Sequence, residues 1–171
     1  MDNQEKTMQA YVKMRRESAK TKLWAFYVPL YTKLCALLEG TYWAPYSGYR
    51  GLNDQALLYA KGRTVPGRIV TNAAPGNSAH NWGCATDWAE FRPGYKGQDP
   101  WAKANWPEFA AAVKTAKMKW GGDFKELVDR PHCELPIEVS WSKVGDVYRA
   151  QGYEMAQILI TKSYKPGGEN V

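Results

Sequence analysis

The sequence predicts a single α+β domain over residues 1–171, and three observations predict it. The length allows one ordinary core, and 44% hydrophobic with 23% charged residues is the composition of a globular chain, not a disordered one. Helical periodicity gathers at both ends of the chain and strand-like patterning in its middle. The two kinds of segment do not alternate regularly, which argues against a doubly wound α/β sheet. There is no repeat, low-complexity linker or second boundary.

Residues 1–20, rich in Lys, Arg, Gln and Glu, read as a polar helix. Residues 22–39 place Leu23, Phe26, Tyr27, Leu30, Leu34, Leu37 and Leu38 mostly at three-and-four spacing, giving an amphipathic helix interrupted or restarted at Pro29 and stopped at Gly40. Thr41–Arg50 is aromatic and β-prone, a strand ending at Tyr49–Arg50. Asn53 then suits the N-cap of a helix over Asp54–Lys61, closed by Gly62. Residues 62–77 form a long loop with Pro66, Gly67, Pro75 and Gly76, and loops of that length in compact domains usually serve function. Residues 78–91 read as one or two strands and 92–100 as a second loop. Trp106-Pro107 opens a helix running to about Lys119, followed by a turn at Trp120–Asp123. Asp129–Leu135 is a short loop entering a strand. The tail from Ser142 to about Lys162 reads as one or two helices with Val144, Val147, Tyr148, Met155, Ile158 and Leu159 on its apolar face, ended by Pro166-Gly167-Gly168.

Eight Trp and eleven Tyr serve either core packing or a groove for sugar or peptide. The net charge of +6 favours polyanions in general; nucleic acid, anionic membrane and anionic cell-wall polymer all qualify. Lys13, Arg15, Arg16, Lys20, Lys22 and Lys33 concentrate that charge near the N-terminus, where a solvated helical face is the ordinary reading. No nucleic-acid recognition motif accompanies them, so nucleic-acid binding is not expected. Leu23–Leu38 contains Pro29 and Lys33 and falls short of a membrane span, and no secretory signal is visible. Cys35, Cys84 and Cys133 are odd in number and lack metal-site spacing. They fit a reduced, disulfide-free chain, with Cys84 and Cys133 as small buried residues of neighbouring strands.

Only two histidines occur, His80 in Ser78-Ala79-His80-Asn81-Trp82-Gly83-Cys84-Ala85-Thr86-Asp87 and His132 in Asp129-Arg130-Pro131-His132-Cys133-Glu134. A lone histidine is usually structural; here the company matters. A catalytic zinc takes three protein ligands and leaves one position for water. His80 and Asp87 lie at an odd offset, so on one straight strand they would face apart; Gly83 permits a bend that brings them together. His132 would complete the set. Asp129, three residues earlier, can stand beside the water and move its proton, or else cap a turn or pair with Arg130. Arg50, at a strand end, can hold an oxyanion or substrate carboxylate, or be a surface arginine.

The pattern S-x-H-x-x-G-x-A-x-D, carried by Ser78, His80, Gly83, Ala85 and Asp87, resembles the zinc signature of the D-alanyl-D-alanine carboxypeptidase-type metallopeptidases, a group related to the lysostaphin-type enzymes and the hedgehog domain. Tyr49-Arg50, Asp54-Gln55-Ala56, Leu58–Thr64, Pro66–Ala73, Trp120–Phe124 and Asp129–His132 are similar to its phage branch of L-alanyl-D-glutamate endopeptidases used as endolysins. The resemblance spans roughly residues 40–136, the expected motif-bearing core, with 1–39 and 137–171 as helical extensions packed on it. It implies a small antiparallel sheet flanked by helices, Zn²⁺ on His80, Asp87 and His132, Asp129 as general acid/base, Arg50 on the substrate or transition state, and Ser78 and Gln55 in support. It further implies a monomer that waits in a host cytoplasm for release by a separate factor and then cuts the stem peptide of peptidoglycan. Asp129 stands where the dipeptidases and many carboxypeptidases of the group have Glu, which favours the L-Ala–D-Glu bond. The alternatives are a D-Ala-D-Ala carboxypeptidase and a non-catalytic wall-binding module on the same fold.

Overall fold

A four-stranded antiparallel sheet in the order β1-β2-β4-β3 organises the chain: β1 (Trp43–Ser47), β2 (Ala85–Glu90), β3 (Lys119–Trp120) and β4 (His132–Glu134). Six helices surround it: α1 (Asn3–Lys20), α2 (Val28–Leu37), α3 (Leu52–Ala60), α4 (Trp106–Thr115), α5 (Trp141–Gln151) and α6 (Tyr153–Ser163). This is a computed structural model that describes residues 1–165, so the expected stop at Pro166-Gly167-Gly168 lies outside the described residues. The α+β class with a small antiparallel sheet is as the sequence predicts. No described helix is long and apolar enough to cross a membrane.

Helix α1 begins on a capping box, in which Asp2 accepts from the Glu5 N–H and Glu5 accepts from the Asp2 N–H, each at 2.8 Å. Its inner face buries Met8 and Val12 together with Arg16. Arg16 is no part of a solvated face. Its guanidinium donates to the carbonyls of Trp43, Leu38 and Cys35, knitting α1 to α2 and β1. Arg15 likewise donates to the Pro45 and Tyr46 carbonyls.

Of the helix expected over 22–39, interrupted or restarted at Pro29, the part beginning at about that proline is helical. Helix α2 opens at Val28 with Pro29 in its first turn, where a missing N–H costs nothing. The preceding turn instead lets the Trp24 N–H donate to Gly83 O at 3.0 Å. Strand β1 ends at Ser47, short of Tyr49–Arg50, because its register shifts between Pro45 and Ser47. Helix α3 is capped by Gly51, and Asn53 lies inside it. Helix α4 stops at Thr115; Lys117 takes a left-handed conformation (φ 63°), and Lys119–Trp120 becomes an edge strand, not a helix end.

Residues 79–82 form a 3₁₀ turn where a strand was expected. Gly83 ends it at φ +64°, and a Cβ there would lie 2.9 Å from Trp24 N, so only glycine fits both the conformation and the space. The tail is two helices, broken at Gly152 with φ +87°. That break resets the helical phase: α6 buries Ala156 and Ile160, while Met155 and Ile158, expected on the apolar face, are exposed. Of the aromatic load, Tyr27, Tyr31, Trp43, Trp88, Phe91 and Phe109 are fully buried, and others such as Trp24, Trp106, Tyr42 and Trp101 pack half-buried against the core.

Candidate metal centre

Three short elements deliver the three candidate ligands. His80 sits on the 3₁₀ turn, Asp87 on β2 and His132 at the start of β4, directly opposite Asp87 in the strand register. His80 therefore reaches Asp87 from a turn that ends at Gly83, and no strand has to bend between them. His80 Nε2 lies 3.2 Å from His132 Nδ1 and 3.2 Å from Asp87 Oδ1, and His132 Nδ1 lies 3.1 Å from the same oxygen. Both histidines are buried, and the three ligand atoms all fall within 4.8 Å of one another.

The outer nitrogens explain which atoms face inward. His80 Nδ1 is 2.7 Å from the Gly48 carbonyl, which can only accept, so Nδ1 carries the proton and Nε2 offers a lone pair. His132 Nε2 is 2.9 Å from Glu134 Oε2, so Nε2 carries the proton and Nδ1 offers a lone pair. Asp87 Oδ1 adds a third. Three lone pairs meeting at one point repel unless a cation sits among them. Without a metal a proton can take that role: against the pull of burial, the hydrogen bonds that His132 donates to Asp87 and Glu134 push its pKa up to about 10. The same histidines hold the Asp87 carboxyl well below its usual range although burial opposes this. Two imidazoles and a carboxylate are a donor set suited to zinc, with outer-shell acceptors on both rings.

Arg50 lies just past β1, its N–H bonded to His80 O at 3.0 Å and its Nη2 3.7 Å from Asp87 Oδ2. Gln55 is fully buried and fixes it: Oε1 accepts from Arg50 Nη1 at 2.9 Å while Nε2 donates to Ala73 O at 2.7 Å. One buried amide thus ties α3, the 62–77 loop and the guanidinium together. Asp129 is placed by its backbone, since its N–H donates to Gly121 O at 2.9 Å and its carbonyl accepts from the His132 N–H at 3.1 Å. Burial, and then the neighbouring Asp87 charge, raise its carboxyl above the ordinary aspartate value despite His132, His80 and Arg50. That is the direction a group that must give a proton needs. Arg50, His80, Asp87, Asp129 and His132 line one cavity of about 630 Å³.

Ser78 lines this cavity, but its hydroxyl makes no hydrogen bond to another described residue. The serine that supports a ligand is Ser47, whose Oγ donates to Asp87 Oδ2 at 2.6 Å. Nothing in the sequence marks Ser47, because its role comes from the β1–β2 register. Glu134 also escaped the sequence reading, although H-x-E on a strand puts both side chains on one face. Cys133, between them, points to the other face, where it bonds to Tyr27 and Thr86. Burial pushes its thiol up to about 12 and raises that of Cys84 too, and neither sulfur joins the cluster of candidate ligand atoms.

Comparison with known proteins bears on this geometry. Over 96 residues the chain is 40% identical to the peptidoglycan L-alanyl-D-glutamate endopeptidase CwlK of Bacillus subtilis (strain 168), covering 52% of this chain. The chain spans 57% of that relative's length. The L-Ala D-Glu endopeptidase ChiX of Serratia marcescens has the same fold, with a TM-score of 0.54 at 19% identity over 81% of this chain and 91% of that one. Residues 71–135, which carry His80, Asp87, Asp129 and His132, match the peptidase family model described as D-alanyl-D-alanine carboxypeptidase.

Proposed function

We propose that the protein is a zinc-dependent peptidoglycan peptidase that hydrolyses the L-Ala–D-Glu bond of the stem peptide and serves a phage as an endolysin. The observation that carries the zinc reading is the convergence of three lone pairs on one point, each histidine fixed in the required tautomer by an outer acceptor. The likeness to CwlK supports the choice of bond, and the motifs shared with the phage endopeptidases support the biological role.

His80, Asp87 and His132 would hold the zinc, which would supply Lewis acidity for the scissile carbonyl and for an attacking water. Asp129 takes the proton of the attacking water and returns it to the leaving amine, a double task suited to a carboxyl raised by burial. Arg50, held by Gln55, stabilises the developing oxyanion or grips a substrate carboxylate. Stem-peptide carboxylates and wall polymers are anionic, and the net charge of +6 draws the enzyme to them. The enzyme waits in the host cytoplasm until a separate factor opens the membrane.

Muropeptides digested with and without a zinc chelator and read by mass spectrometry test this. Chelator-sensitive appearance of free N-terminal D-Glu on the released stem is expected. The description of the matching family model favours a second reading, carboxypeptidase action on D-Ala-D-Ala. Release of free D-Ala with the L-Ala–D-Glu bond intact would select it. Binding to walls with no cleavage at all would select a non-catalytic module.

A further inference from the structure

The C-terminal extension reaches the metal cavity, because Ser140 and Trp141 at the start of α5 line it together with His132 and Glu134. Glu134 is 4% exposed, which makes it a buried carboxylate that needs partners. It has them on two sides. Oε2 accepts from His132 Nε2 at 2.9 Å, and Oε1 lies 3.4 Å from the ammonium of Lys119, its neighbour across the β3–β4 pairing. The indole N–H of Trp141 is buried in the same wall without a hydrogen-bond partner among the described residues.

We propose that Glu134 is the positioning residue of the metal centre. It keeps the His132 proton on Nε2, so that Nδ1 faces the ligands His80 and Asp87 as a strengthened donor, while Lys119 holds the carboxylate in turn. His80 gets a neutral carbonyl, Gly48 O, for the same task, so among the described residues the one charged outer acceptor on a histidine acts on His132. The strand period makes the arrangement compact: His132 and Glu134 are two apart on β4 and share a face. This inference rests on the zinc reading above and is independent of which bond is cut.

The test is zinc affinity of the full-length protein, measured by competition with a chromogenic chelator. Glu134→Gln keeps an acceptor and loses the charge; its zinc affinity should fall 10–100-fold with the fold retained by circular dichroism. An affinity within twofold of the parent would overturn the proposal. Should the variant fail to fold, imidazole ¹⁵N–¹H spectra of the zinc-loaded parent protein decide. A protected, downfield Nε2–H of His132 is expected, and a proton absent from that atom overturns the proposal. A parent protein that binds no zinc would instead refute the metal reading itself.

Discussion

At the residue scale the site depends on what each side chain does and on what would not fit beside it. Asp129 is held by its own backbone, so its carboxyl can be removed without disturbing the ligands. Asp129→Ala should leave zinc affinity within about twofold while activity on purified walls falls roughly 10²–10⁴-fold, the usual contribution of a positioned acid/base. Turbidity clearing beside a chelator competition assay measures both, and surviving lysis would remove Asp129 from the chemistry. Gly121 is the reverse case. A Cβ there would lie 2.3 Å from Asp129 O and 2.9 Å from His132 Cβ, so the segment carrying both residues must shift. Gly121→Ala should cost about 1–3 kcal/mol in denaturant unfolding, as overpacking does, and weaken zinc as well. Unchanged zinc binding would mean that the turn yields without moving His132. That His80, Asp87, Asp129 and His132 come together was legible in the sequence because both of the chain's histidines stood in one specific motif pattern. Ser47 and the Gly48 carbonyl could not, since a common residue and a backbone atom acquire their roles only through strand register.

At the element scale, local periodicity located most helices and misjudged their ends and faces. Pro29 and Gly152 are the reasons. The proline fits inside a first turn and so starts α2 late, and the glycine breaks the tail so that the face read across it loses phase. The 3₁₀ turn at 79–82 was hidden because four residues carry too little pattern to separate a turn from a strand. Helix α1 changed meaning most. Its charge density reads as a solvated face, yet Arg16 is a buried pin between two helices and a strand. Arg16→Met would strip the donor from the Trp43, Leu38 and Cys35 carbonyls and should cost about 3 kcal/mol, lowering Tm by about 10 °C. Thermal melts of the zinc-loaded proteins check this, and an unchanged Tm would return Arg16 to the surface face. Exposed Lys13 and Lys22 remain the residues to neutralise when testing wall attraction, since deleting residues 1–20 would also remove the buried Met8 and Val12.

For the whole molecule, the candidate metal centre couples folding to pH. His132 in the metal-free protein has its pKa raised to about 10, above an unfolded value of about 6.5. The native state therefore holds a proton that the unfolded chain lacks across that window. Its contribution to stability is complete below about pH 6.5 and is lost as pH rises through about 10. Asp87 behaves oppositely: its folded pKa is lowered, so its contribution is present above the unfolded value of about 3.9 and disappears as pH falls through the folded one. Zinc binding at the proposed site would displace the His132 proton, because Nδ1 must be free to bind. Between about pH 6.5 and 10, zinc binding should release about one proton and its apparent affinity should rise about tenfold per pH unit. The Tm gap between zinc-loaded and metal-free protein should then widen steadily with pH, as preferential binding to the native state requires. Isothermal titration at pH 7.5 in two buffers of different ionisation enthalpy counts the proton directly. A count of zero would mean that His132 is already neutral there, and that the three lone pairs are held together by something other than a proton.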